Sequence, residues 1–122
     1  MAPVTAFAVL ASLLALHLSG PRPVLGPRDA PRVIATIGYS GPGYSRSMTL
    51  TIRARGGTIR PQRGTRCDAR AGGGWSCSAN PLHHGATEPL SFLVTGLRVG
   101  TTLVVDAAVG SVRASLRRPV RG

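Results

Sequence analysis

The sequence predicts an all-β fold, a small antiparallel β-sandwich with a hydrophobic helix in front of it. Three observations carry this reading. Residues Ser47 to Arg55 alternate apolar and polar with period two. A Gly110-Ser111 pair separates two runs whose apolar faces match. Beyond residue 20 no helical periodicity survives, and glycine-rich turns separate short β-branched stretches.

The elements follow in order. Arg32 to Ser40 is short and β-branched, hence a strand, and Ser40 to Gly43 (SGPG) is a turn. Between Ser47 and Arg55, Met48, Leu50, Ile52 and Ala54 share one face. Thr49, Thr51, Arg53 and Arg55 share the other. Gly56 and Gly57 interrupt this strand as a bulge, and Thr58 to Arg60 continue it. Leu90 to Leu97 is a further strand with Leu90, Phe92 and Val94 on one side. A two-residue loop with glycine first is the mark of a type II′ hairpin. Around Gly110-Ser111 that register sets Val109 against Val112, Ala107 against Ala114 and Val105 against Leu116, apolar with apolar throughout. Such strands, about six or seven in roughly 90 residues, fit the Ig-like class of sandwich.

The front of the chain reads differently. Ala2 to Leu18 (APVTAFAVLASLLALHL) carries no acidic or basic charge and is rich in Ala and Leu, like the apolar core of a signal peptide. At about 1.5 Å per residue a helix of this length spans roughly 25 Å, short of a bilayer core of about 30 Å. No Lys or Arg precedes the run, and the nearest cleavage candidates, Gly20 and Gly26, are each followed by proline. Residues 1–20 are therefore expected to act as a signal peptide or an uncleaved membrane anchor, contacting the membrane through residues 2–18 in the latter case. Residues 21–31, with prolines at 21, 23, 27 and 31, read as an extended stalk. Residues 32–122 form the sandwich domain.

Cys67 and Cys77 are the only cysteines, and a hairpin centred on Gly72 sets them directly opposite each other. In an exported protein such a pair forms a disulfide, a staple a thin core needs. Trp75 shares the face of Cys77 and covers the bridge or the core edge. C-x-x-C spacing for redox chemistry is absent, and the thiols with His83 and His84 lack zinc-site spacing.

The run Cys67, Gly74-Trp75-Ser76-Cys77, Pro81-Leu82 and Gly85, followed by the strand Leu90 to Val94, resembles the second half of a bacterial cell-surface repeat, the conserved repeat domain known as domain of unknown function eleven. The resemblance covers about residues 48–94. It implies an Ig-like sandwich in an exported, often wall-associated protein serving display, spacing or adhesion, without catalytic residues.

Charge supplies the remaining clue. All 15 basic residues are arginine, against four acids, for a net charge of +11. A lysine-free, Gly/Ala/Pro-rich composition is what GC-rich coding writes, yet a positive field exists whatever its origin. Arg53 and Arg55 point outward from one strand, Arg113 and Arg117 from another. Arg60, Arg63, Arg66 and Arg70 surround the cysteine hairpin. If the strands share a sheet, Arg53, Arg55, Arg113 and Arg117 form a candidate anion-binding panel for wall polymer or lipid headgroups. Few aromatics are present for base stacking, so nucleic acid is the disfavoured partner.

No enzyme is expected. His17 lies in the apolar segment, and His83 and His84 are neighbours in a loop, so no base is placed beside a nucleophile. Asp68, Glu88 and Asp106 are the only acids beyond the stalk, few for a carboxylate pair. No cofactor or metal site is read. The expected function is a structural or interaction role at the bacterial cell surface, exported or membrane-tethered. The alternative is a secreted arginine-rich module that binds anionic polymers. The partner is then an unidentified protein or an anionic surface polymer.

Overall fold

The computed structural model of the chain describes residues 13–20 and 22–122. These form nine strands: β1 (Leu14–Ser19), β2 (Arg32–Tyr39), β3 (Met48–Arg55), β4 (Thr58–Pro61), β5 (Cys67–Ala69), β6 (Trp75–Ala79), β7 (Thr87–Thr95), β8 (Thr102–Val109) and β9 (Val112–Pro119). They pair antiparallel into two sheets, one ordered β1-β2-β7-β4 and the other β5-β6-β3-β8-β9.

The alternation of apolar residues explains why the sheets close on each other. Val33, Ala35 and Ile37 on β2 and Leu90, Phe92 and Val94 on β7 turn inward from the first sheet. Leu50 and Ile52 on β3 and Leu103, Val105 and Val109 on β8 turn inward from the second. They merge into one apolar core with Phe92 fully enclosed, and no charged or polar residue is buried among the described residues. One flank is sealed where β1 lies against β9, with Gly20 beside Leu116. At the other flank the Trp75 indole Nε1–H donates to the Ile59 carbonyl at 2.7 Å, joining β6 to β4 across the sheets. Trp75 therefore closes the core edge, and a buried indole N–H is satisfied by doing so.

The β8–β9 hairpin has the register its sequence predicts: Val109↔Val112, Ala107↔Ala114 and Val105↔Leu116. Gly110 has a φ of 58°, which a first turn residue of type II′ requires. The cysteine hairpin also forms, with Cys67 opposite Cys77 and the two joined by a disulfide.

Three expectations are corrected. Leu14–Ser19 is strand rather than helix, because each of its residues pairs with β2 while Leu18 enters the core and Leu14 and Leu16 pack against it. An uninterrupted apolar run serves a strand as well as a helix once a partner edge is present. The remainder of the expected signal or anchor, residues 1–12, lies outside the described residues. No described helix is long and apolar enough to cross a membrane. The segment expected to be a stalk is fastened to the sandwich instead. Leu25 is 2% exposed, its N–H donates to the Pro119 carbonyl, and its own carbonyl accepts from Arg121. Finally, Gly56-Gly57 is no bulge. The chain changes sheets there, β3 belonging to one and β4 to the other. Gly56 has a φ of 78°, and a Cβ on it would collide with the Thr102 carbonyl oxygen, so only glycine allows this crossing.

Candidate anion-binding face

The site is built from strand register. β8 lies between β3 and β9, with Arg53 opposite Asp106, Asp106 opposite Ser115, Arg55 opposite Val104 and Val104 opposite Arg117. One step nearer the hairpin, Thr51, Ala108 and Arg113 form a third row. Inward neighbours of all these residues are core, so Arg53, Arg55, Arg113 and Arg117 stand together on the outer face of the five-stranded sheet.

The arginines form two rails. Arg53 and Arg55 line one side and Arg113 and Arg117 the other, about 10 Å apart because two strand spacings separate them. β8 provides the floor through Ala108, Asp106 and Val104, whose side chains are short. Val104 points away from the core yet is only 8% exposed, flanked in register by Arg55 and Arg117. Long arginine stems cover such a residue while their heads stay wet.

A depression of about 560 Å³ opens on this face, lined by Thr51, Arg53, Arg70, Asp106, Arg113 and Ser115 among others. Arg70 joins from the turn of the cysteine hairpin. Gly74 lets that turn lie flat against β3: its φ is 80°, and a Cβ there would meet the Ile52 carbonyl oxygen and Arg53. The Arg70 N–H donates to the Gly74 carbonyl at 3.0 Å, which fixes the turn. The disulfide thus does more than staple the core, since it holds the hairpin that aims Arg70.

Asp106 is the acid at the centre of the face. Its carboxylate accepts a hydrogen bond from the Ser115 hydroxyl and sits 3.6 Å from the Arg55 guanidinium. That is the one ion pair among the described residues. The other arginines of the face keep their charge for a partner, and guanidinium forks suit bidentate contact with phosphate or carboxylate oxygens. Thr51 and Ser115 add hydroxyls between them.

Arg53, Arg55, Arg113 and Arg117 are therefore brought together as their alternation predicts. The wider cluster divides. Arg60 sits on β4 in the other sheet, Arg66 turns aside to donate to the Asn80 side chain at 3.2 Å, and Arg63 is exposed outside the face. Asp106, Ser115 and Arg70 are the members the sequence did not assign. The pairing Arg53↔Asp106 spans distant segments, although Asp106 and Ser115 were readable as opposites from the β8–β9 hairpin register. His83 and His84 lie in a loop, where His84 Nδ1 is 3.0 Å from the Gly41 carbonyl and His83 meets Tyr44 edge-on, while His17 faces outward on β1.

The amino-acid sequence matches no protein-family model and no curated protein. The fold does have solved counterparts. A human F-spondin reeler domain aligns over 90% of this chain and 93% of its own, at 12% identity and a TM-score of 0.52. The Reelin-N domain of F-spondin aligns over 91% of this chain and 88% of its own, at 13% identity and a TM-score of 0.55. The Pseudomonas fluorescens alkylpurine DNA glycosylase AlkC, bound to DNA containing an abasic site analogue, aligns over 96% of this chain but 33% of its own, at 14% identity and a TM-score of 0.51. At these identities the likeness is one of fold alone.

Proposed function

We propose that this chain is a non-catalytic Ig-like β-sandwich, exported to the bacterial cell surface, whose interaction role is exercised through the arginine face by binding an anionic polymer. The observation that carries the reading is that Arg53, Arg55, Arg113 and Arg117 share one sheet face, where Arg53, Arg70 and Arg113 line a depression, with Asp106 as the acid between the rails. Chance placement of arginines spreads charge over the surface, whereas convergence concentrates a field that attracts anions. Export is supported by the disulfide, which persists in oxidising compartments, and by the uncharged, apolar-rich residues 2–12 ahead of β1.

The test is retention on a phosphate-bearing resin as salt is raised. Wild-type protein should be held at low salt and released steeply. The variant with Arg53, Arg55, Arg113 and Arg117 all changed to Gln should elute at much lower salt while keeping its melting behaviour. Equal retention of both proteins sinks the proposal. Attachment that ignores salt would instead favour docking of a protein partner through an apolar or strand-edge contact.

A further inference from the structure

The face carries more information than its sign. Its centre is an acid, which a surface built only to attract negative charge would do better without. Asp106 stands midway between the arginine rails, on the floor strand, with its side chain about one-third exposed. An anion seated at the centre would be repelled by it, while anions seated at the rails meet guanidinium on either side. What suits the centre is a hydrogen-bond donor, because an ionised carboxylate only accepts. Ser115, whose hydroxyl proton goes to Asp106, keeps its own oxygen as a second acceptor beside it.

The dimensions limit the ligand further. The rails lie about 10 Å apart, and neighbouring arginines along β3 are spaced by about 7 Å, two residues of extended strand. The trough runs over β8 from Asp106 past Ala108 toward Gly110, with Arg53 and Arg70 on one side and Arg113 on the other, so it fits a thin flexible chain. No aromatic side chain occupies this face: the outward residues of β3, β6, β8 and β9 that surround the trough are Thr, Ser, Arg, Val, Asp and Ala, and Trp75 is turned to the core edge. Base stacking, which supplies much of single-strand nucleic-acid affinity, has no platform here.

These features together point to one class of ligand, and the inference rests on the arginine face being the binding surface. We propose that the trough along β8 binds a linear polyol-phosphate polymer, its phosphates held by the arginine rails and the hydroxyls of its polyol spacers donated to Asp106. Arg53, Arg70 and Arg113, at the depression, take the phosphates nearest the central hydroxyl. Arg55, already leaning toward Asp106, positions that carboxylate.

The experiment compares three soluble probes with the full chain by calorimetry, each at the same low and the same raised salt concentration: poly(glycerol phosphate), inorganic polyphosphate of the same phosphate number, and single-stranded oligothymidylate of the same number. Polyphosphate carries denser charge and no hydroxyl. Wild-type protein should nevertheless bind poly(glycerol phosphate) about fivefold more tightly than polyphosphate, the value of a hydrogen bond to a charged acceptor partly offset by solvent. In Asp106→Ala that ratio should fall to about one, through tighter polyphosphate binding and loss of the hydroxyl contact. Asp106→Asn, which removes the charge but keeps a carbonyl acceptor, should retain part of the preference. Polyphosphate binding as tightly as poly(glycerol phosphate) to wild type, or a preference unchanged in Asp106→Ala, overturns the assignment. So does oligothymidylate outbinding both. In those cases salt-dependent binding abolished by the four-arginine variant still upholds the anionic face, whereas no salt-dependent binding of any probe brings down both readings.

Discussion

The outer face of the five-stranded sheet presents Arg53, Arg55, Arg113 and Arg117 around Asp106. The outer face of the four-stranded sheet, across the same core, presents Ala15, His17 and Ser19 from β1, Ile34 and Thr36 from β2 and Pro89, Ser91 and Leu93 from β7. Its arginines, Arg32 and Arg60, stand beside Leu93 toward one end. Both faces satisfy the same requirement of a half-buried sheet, that outward residues tolerate water. That requirement is met by Thr and Ser as well as by Arg, so folding does not explain why the arginines gather on one side. Placement rather than total charge is therefore the informative quantity: coding bias can raise the arginine count of both faces, but it does not sort them.

The comparison can be broken most directly by its charges. If four anionic groups are held at the arginine face, raising salt from about 50 to about 200 mM should weaken wild-type binding roughly a hundredfold, as counterion release dictates. Changing Arg53, Arg55, Arg113 and Arg117 to Gln should remove most of the affinity and flatten that slope. Changing Arg32 and Arg60 to Gln on the opposite sheet should alter binding by less than about twofold, since contacts beyond a Debye length are screened. A similar loss from either set would mean that net charge alone matters.

Next in size is the staple. Replacing Cys67 and Cys77 by Ala should lower the unfolding free energy by about 2–3 kcal/mol in a urea titration. Hydrogen exchange should accelerate in β5 and β6 while β2 and β7 keep their protection, because the disulfide belongs to one sheet only. Uniform acceleration would show that the hairpin is integral to both sheets.

Gly74→Ala should cost about 1–2 kcal/mol through its left-handed backbone, and more where the new Cβ meets the Ile52 carbonyl. Lifting the hairpin also withdraws Arg70 from the depression, so a modest fall in polymer affinity should accompany the melting shift. Stability lost without affinity would remove Arg70 from the site.

The smallest effect on binding is expected from the β1–β2 part of the four-stranded face. His17 and Thr36 are directly opposed across β1 and β2. The His17→Cys, Thr36→Cys double variant should form a second disulfide, two hydrogens lighter by mass spectrometry, and bind polymer as wild type does. Free thiols at both positions would contradict the placement of β1 in the sheet.

What could be read in advance follows a physical rule. The β8–β9 hairpin and the Cys67–Cys77 hairpin were legible because turn chemistry and register are set within about twenty consecutive residues. The inward side of β3 was legible because period two needs no partner. The outward side gave Arg53 and Arg55 for the same reason, and Arg113 and Arg117 came with the hairpin. Their union on one face was conditional, since nothing local states that β3 pairs with β8. Arg70 is legible as a residue of the cysteine hairpin but not as part of the face, because the tilt of a turn against a neighbouring strand is a packing outcome.

The first part of the domain shows the limit most clearly. Leu14, Leu16 and Leu18 carry the same alternation as any buried strand, yet they lie in a run so apolar that the alternation is masked by the residues around them. Their strand conformation is decided by the free edge of β2 and the flank of β9, which are distant in sequence. Leu25 likewise takes its place from Pro119 and Arg121 near the other end of the chain. By itself, then, the sequence determined an all-β chain, two hairpins with their registers, a disulfide and the outward arginines, all consequences of side-chain period and turn stereochemistry. Tertiary structure alone decided which strands are neighbours, where the chain changes sheets and which arginines share a face, because those choices are made by burying apolar surface between segments that local rules leave independent.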